Sequence, residues 1–122
     1  VLQQFVQASL SGDMAALMNL FKHDIVSYVD GGGQVRGAGL HPVHGDENVA
    51  RLVLGLIKRA PAGLSTQFAW VNGEPALVSV LGRRLFNVMV VHIDNARIHS
   101  IYSIVNPDKL RPMAQQLGLA VL

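Results

Sequence analysis

The spacing of apolar positions shifts along the chain, from a mainly helical period in the first half to a mainly strand-like one in the second. Leu2, Phe5, Val6 and Ser9 fall on one side of a helix predicted over residues 1–10. Gly12 breaks that helix, and Asp13 is placed to cap a second in which Met14, Leu17, Met18 and Phe21 share a face. Residues 25–30 are rich in β-branched side chains and read as a strand that runs into Gly31, Gly32 and Gly33. Residues 37–45 form a loop holding Pro42 and two histidines, after which Asp46 caps the clearest helix. Val49, Leu52, Val53, Leu56 and Ile57 make its apolar stripe, Arg51, Lys58 and Arg59 face outward, and Pro61 and Gly63 stop it.

Beyond that point the alternation predicts strands over 65–71, 76–81, 84–93 and 97–105. The turns between them, Asn72-Gly73, Gly82 and Asp94-Asn95, are short enough to join antiparallel neighbours. Phe86, Val88 and Val90 alternate with Leu85, Met89 and Val91, so this strand is apolar on both faces and belongs at the centre. Asn106 caps a last helix with Pro107 at its first position, and Pro112 is expected to split it. Three helices followed by an antiparallel meander define an α+β fold, with the helices on one face of the sheet. A twisted sheet wrapped over helices leaves a cone whose mouth suits a ligand.

Composition narrows the function classes. The 122 residues make one domain, half of them hydrophobic and only 15% charged, so the core is large for the length. The net charge of +2 is scattered, with Lys58-Arg59 and Arg83-Arg84 the only adjacent basic pairs, which excludes a nucleic-acid groove. The absence of cysteine removes thiol chemistry and fits a reducing, cytoplasmic compartment. No apolar run reaches bilayer length, and no signal-peptide pattern opens the chain, so no membrane contact is expected.

His41, His44 and Asp46 have a spacing that invites a metal, but they sit in a loop without a fourth ligand, and no metal or other cofactor is expected. Candidates for a pocket are Tyr28, Trp70, His92 and Tyr102. If the domain is an enzyme, His92, Asp30 and Tyr102 are the groups for proton transfer. The plainer reading of the same residues is a satisfied histidine and packing aromatics. No nucleophile elbow or phosphate loop is present.

Two short motifs carry more information than these single residues. Asp30-Gly31-Gly32-Gly33 and Asn106-Pro107-Asp108-Lys109-Leu110 each end a strand. With Pro42-Val43-His44-Gly45, the helix from Asp46 and Val71-Asn72-Gly73-Glu74-Pro75-Ala76, they occur in an order that resembles one family. That family is the SnoaL-like carboxy-terminal extension of a group of extracytoplasmic-function sigma factors, in the nuclear-transport-factor-2-like superfamily. Two positions depart from it. Gln34 stands where a basic side chain is commoner, with Arg36 nearby, and His41 stands where arginine precedes the proline.

The resemblance implies a conical, antiparallel-rich sheet packed on three helices of the amino-terminal half. It implies that Asp30, Gly31, Gly32, Gly33, Asn106, Asp108 and Lys109 face sigma-factor core domains in cis, and through them bacterial RNA polymerase. The chain begins at Val1, so either a leader was removed or it is a piece of something longer; it is read as a single domain, 1–122, and the resemblance offers excision from a longer sigma factor as one origin. The expected function is non-catalytic regulation of transcription initiation, with a small molecule in the cone as the modulating ligand. The alternative is a free-standing SnoaL-like cyclase or isomerase acting on a small hydrophobic substrate. A homodimer is a third expectation, because the doubly apolar strand at 85–93 needs cover on both sides. The apolar end at Leu119, Ala120, Val121 and Leu122 is expected to dock on the sheet, on a second copy or on a missing partner.

Overall fold

Gly12 takes a left-handed conformation at φ 71°, and its N–H closes the first helix on the carbonyls of Ala8 and Ser9. This ends α1 (Leu2–Ser11) and frees Asp13, whose carboxylate accepts the N–H of Ala16 at 3.0 Å to start α2 (Met14–Leu20). The computed structural model describes residues 1–30, 41–117 and 120–121. Phe21 both caps α2 and begins β1 (Phe21–Asp30), which starts earlier than its β-branched stretch suggests. The predicted loop contains a two-residue strand, β2 (Val43–His44), antiparallel to β1.

Helix α3 (Asp46–Arg59) is capped by Gly45 at φ 94° rather than by Asp46. Asp46 is instead its first residue and accepts the N–H of Glu47 at 2.7 Å. Acidic Asp46 and Glu47 in the first turn and basic Lys58 and Arg59 in the last both complement the helix dipole. Strands β3 (Leu64–Val71), β4 (Glu74–Leu81), β5 (Arg84–Asp94) and β6 (Arg97–Ile104) follow as hairpins. Then come α4 (Pro107–Leu117) and β7 (Ala120–Val121). Pro112 does not split α4, which runs on through it at the cost of the hydrogen bond a proline cannot donate.

The sheet order is β2-β1-β6-β5-β4-β3, so β5 lies inside the sheet as its two apolar faces required. Strand β1 runs parallel to β6, which makes the sheet mixed. Strand β7 adds in parallel to β5 at Arg84 and Leu85, beyond the point where β6 has ended. This gives Ala120 and Val121 a place on the sheet of their own chain.

Both sheet faces are covered, which corrects the expectation of helices on one face only. On one face Phe5, Ala8, Leu17, Val49 and Val53 of α1–α3 pack with Phe21, Ile25, Leu77, Val91, Ile98 and Ile101. On the other, Leu110 and Ala114 of α4 pack on Ala76, Val78, Val80, Leu85, Val88 and Ile104. Among the described residues three register shifts interrupt the pairings. One lies between Phe21 and Val26 in β1, one opposite Ser79 and Val80 in β5, and one between His92 and Ile93 in the β5–β6 pairing. The last sends Ile98 into the helix-side core, although simple alternation places it with Ser100, Tyr102 and Ile104.

The β5–β6 turn holds Asn95 at φ 51° and Ala96 at φ 61°. Two positive φ angles suit a two-residue hairpin, but alanine bears a Cβ clash there that glycine lacks. Ala96→Gly is expected to stabilise the domain by about 1 kcal/mol. The check is thermal unfolding, with a rise in Tm of roughly 3–5 °C for this length.

Candidate functional site

The carboxyl end of β1 and the start of α4 meet on the α4-covered face. Asp30 lies opposite Ile104 in the β1–β6 register, and its backbone carbonyl accepts the N–H of Val105 at 3.0 Å. The chain then turns at Asn106, whose side chain accepts the N–H of Asp108 at 3.1 Å, and α4 begins. This turn brings Lys109 back over β6, where its ammonium pairs with the Asp30 carboxylate. The Tyr102 hydroxyl donates to the same carboxylate oxygen at 3.1 Å and accepts from Lys109 Nζ at 3.4 Å. The ammonium also stands 5.8 Å from the centre of the Tyr102 ring, and the Tyr28 ring is 6.4 Å from it. The two end motifs are therefore joined by an ion pair and a shared phenol.

The Asp30 side chain is only 18% exposed, so much of its water is replaced by these partners. The hydrogen bond to Asp30, then that to Tyr102, raises the Lys109 pKa above the usual lysine range. A raised lysine pKa gives stability that is complete below the ordinary value, about 10.4, and is lost as pH rises through the higher one. Loss of the Lys109 charge is accordingly not expected to loosen the tie below about pH 9.

His92 lies on the same face as Tyr102 and Tyr28, opposite Ser100, and its Nδ1 is 2.9 Å from Glu74 Oε1. Its ring meets His99 edge-on at 5.6 Å. Trp70 is on the other face, because its register partner is Pro75 whereas Tyr102 is linked through Val90 to Ala76. It is 75% exposed on the edge strand β3, with Phe68 exposed beside it. The structure thus sets Tyr28, His92 and Tyr102 on one face, with the two tyrosine rings neighbours, and Trp70 on the other. Gly31, Gly32 and Gly33, expected at the same rim as Asp30, lie outside the described residues. Asp108 pairs with Arg111 at 2.8 Å on the exposed side of α4.

Among the described residues no group of three or more histidines and carboxylates is placed to hold a metal. His44 lies in β2, and Asp46 bonds to His23 at 3.2 Å. That hydrogen bond lowers the Asp46 pKa below the usual carboxylate range. The stability it brings is present above about pH 3.9 and is lost as pH falls through the lowered value. His23→Ala is expected to raise the Asp46 titration toward the ordinary range, as followed by carboxyl-carbon NMR. No helix among the described residues is long and apolar enough to cross a membrane.

A cavity of about 540 Å³ opens beside the tie, between α4 and the sheet. Val71, Val90, Ile104, Pro112 and Met113 form its apolar part, and Asn72, Glu74, Tyr102, Asp108 and Lys109 its polar rim. Of these only Tyr102, Asp108 and Lys109 were candidates from sequence. Glu74 could be found only by knowing the β4–β5 register that sets it beside His92, and Met113 only by knowing which side of α4 faces the sheet.

No family model matches the chain. It is 29% identical over 118 aligned residues to the ECF RNA polymerase sigma factor SigJ of Mycobacterium tuberculosis, a match covering 89% of this chain and 38% of that protein. The crystal structure of that sigma factor superposes with a TM-score of 0.74 at 26% identity, over 90% of this chain and 43% of the other. An NTF-2-like protein of unknown function from Burkholderia xenovorans LB400 gives a TM-score of 0.58 at 16% identity, over 86% of this chain and 79% of the other. A SnoaL-like protein of unknown function from Burkholderia thailandensis gives 0.56 at 15% identity, over 83% of this chain and 87% of the other. These last two share the fold alone. The chain is homologous to the SnoaL-like domain of the sigma factor, has the nuclear-transport-factor-2-like fold, and spans well under half of the sigma factor's length.

Proposed function

We propose that this chain is a non-catalytic regulatory domain of an extracytoplasmic-function sigma factor, acting in the cytoplasm on sigma core domains in cis and through them on RNA polymerase. The observation that carries this reading is the similarity to SigJ along almost the whole chain. The tie between Asp30 and Lys109 supports it, because it gathers both motifs of the family at one end of the sheet. Around that tie, half-exposed Tyr28 and Tyr102 offer apolar contact, and the Asp108–Arg111 pair offers charge at the rim. Contacts between domains of one chain bury about 600–1,500 Å², so small changes in such a surface shift the balance between docked and undocked forms.

No observation favours the cyclase or isomerase alternative. Of the groups named for it, Asp30 and Tyr102 are engaged with Lys109, which leaves the half-exposed His92–Glu74 pair as its acid–base candidate among the described residues.

The test uses the full sigma factor that carries this domain, in promoter-dependent transcription. Asp108→Arg reverses a charge at the rim without entering the core, and Tyr28→Ala removes an exposed ring. Each is expected to change transcript output about fivefold or more, the scale of typical coupling between sites, with the domain's circular dichroism unchanged. Unaltered output from both variants would remove the proposed contact.

A further inference from the structure

The cavity beside α4 lies on the sheet face opposite α1–α3, and five elements converge on it. The hairpin end of β3 and β4 supplies Val71, Asn72 and Glu74, β5 supplies Val90, and β6 supplies Tyr102 and Ile104. Helix α4 closes the remaining side with Asp108, Lys109, Pro112 and Met113. Leu110 and Ala114, one helical turn apart, are buried against the sheet and hold α4 in place. Beside them Met113 packs only partly against the sheet, and with Lys109 it lines the cavity. That space is of the size that small-molecule sites use, about 300–1,000 Å³.

The rim charges define what fits. Lys109 is held by Asp30, Glu74 by His92 and Asp108 by Arg111. An anion approaching Lys109 would meet the carboxylates of Glu74 and Asp108, and a cation approaching those would meet Lys109. Either would also set a like charge beside an existing pair. A neutral molecule does not. Its polar anchor is already oriented: an ammonium has three N–H groups, and among the described residues Asp30 and Tyr102 take two of those on Lys109. The third can donate to a ligand oxygen. Met113, unbranched and adaptable, can fit the wall to the ligand's shape.

We infer that this cavity binds a small, uncharged, mainly apolar molecule with one hydroxyl or carbonyl oxygen, its body on Val90, Ile104 and Met113 and its oxygen at Lys109 and Tyr102. The site stands whether or not the domain acts on a sigma core. Where it does, occupancy bears on the same α4 that carries Lys109 and Asp108.

The experiment is an amide NMR titration of the chain with naphthol, naphthoate and naphthylmethylammonium at neutral pH. Naphthol is expected to shift the amides of Val90, Ile104 and Met113, and both charged probes to bind about tenfold more weakly or worse. Met113→Trp and Val71→Trp fill the space from opposite walls, and each is expected to abolish the naphthol shifts while circular dichroism stays that of the parent. Two variants are used so that misfolding of one leaves the other to decide. The proposal is overturned if naphthol gives no shifts up to its solubility, if the three probes bind alike, or if a folded Trp variant binds as the parent does.

Discussion

Phe21→Ala is expected to cost about 3–5 kcal/mol, the range for removing a buried phenylalanine. The residue is 1% exposed and works at a junction, its N–H closing α2 on Met18 while its backbone opens β1 opposite Ile98. Its ring lies 6.0 Å from that of Phe5, tilted by 54°, within the core that joins α1, α2 and α3 to the sheet. No neighbouring element can close over the gap without pulling α1 or β1 out of register. A domain of ordinary stability, about 5–15 kcal/mol, loses a large part of it by this one change. Urea unfolding is the check: the midpoint falls and the slope stays the same. Phe68→Ala is the matched control. It removes the same ring from the edge strand, where Phe68 is 56% exposed, and is expected to cost no more than about 1 kcal/mol. A loss at Phe21 no greater than at Phe68 would place the weight of the fold elsewhere.

The contrast between those two phenylalanines marks what could be read from the sequence. Helix ends were legible because single residues determine them, as Gly12 and Asp13 do between α1 and α2. The hairpins were legible because Asn72-Gly73 and Gly82 supply the positive φ that tight turns require. Residue type alone did not reveal that Phe21 is inside and Phe68 outside, since both follow apolar patterns. Burial on a strand depends on whether another element lies over it, and β3 is the edge strand. The side of the sheet taken by α4 was equally hidden. Its stripe of Leu110, Met113 and Ala114 states that one helix face is buried but not against what. The parallel β1–β6 pairing joins segments far apart in sequence and leaves no local mark, and a two-residue strand such as β2 is too short to have a period.

The candidate site divides in the same way. The end motifs stood out through their resemblance to a family, and Asp30, Tyr102 and Lys109 were each singled out. Their joining is a tertiary event, made by the Asn106 turn folding α4 back over β6, and no spacing encodes it. Placing Trp70 with Tyr28, His92 and Tyr102 assumed that aromatic side chains gather in one pocket. The register puts Trp70 on the opposite face, and the shift between His92 and Ile93 likewise moves Ile98 away from Tyr102. One residue of slip exchanges the faces of everything after it, so site membership on strands cannot be read without the pairing.

Reversing the charges of the tie separates two roles that Asp30 could play in the proposed function. Asp30→Lys sets two ammonium groups beside the Tyr102 hydroxyl, and Lys109→Asp sets two carboxylates there. Like charges that close repel, and the first turn of α4 must then lift from the end of β1. Each single variant is therefore expected to speed amide exchange in the first two turns of α4 by roughly tenfold or more. The double variant, Asp30→Lys with Lys109→Asp, restores an attractive pair and is expected to recover most of the lost protection. In the full sigma factor, transcription should follow the same course if the tie acts as an internal strut that positions Asp108 and the aromatic rim for the core. If Asp30 instead meets a cation of the core directly, the double variant keeps the wrong sign at that contact. Protection then returns while transcription does not. The strut is the expected outcome, because the Asp30 carboxylate already accepts from Tyr102 and Lys109, and most of its side chain is out of a partner's reach.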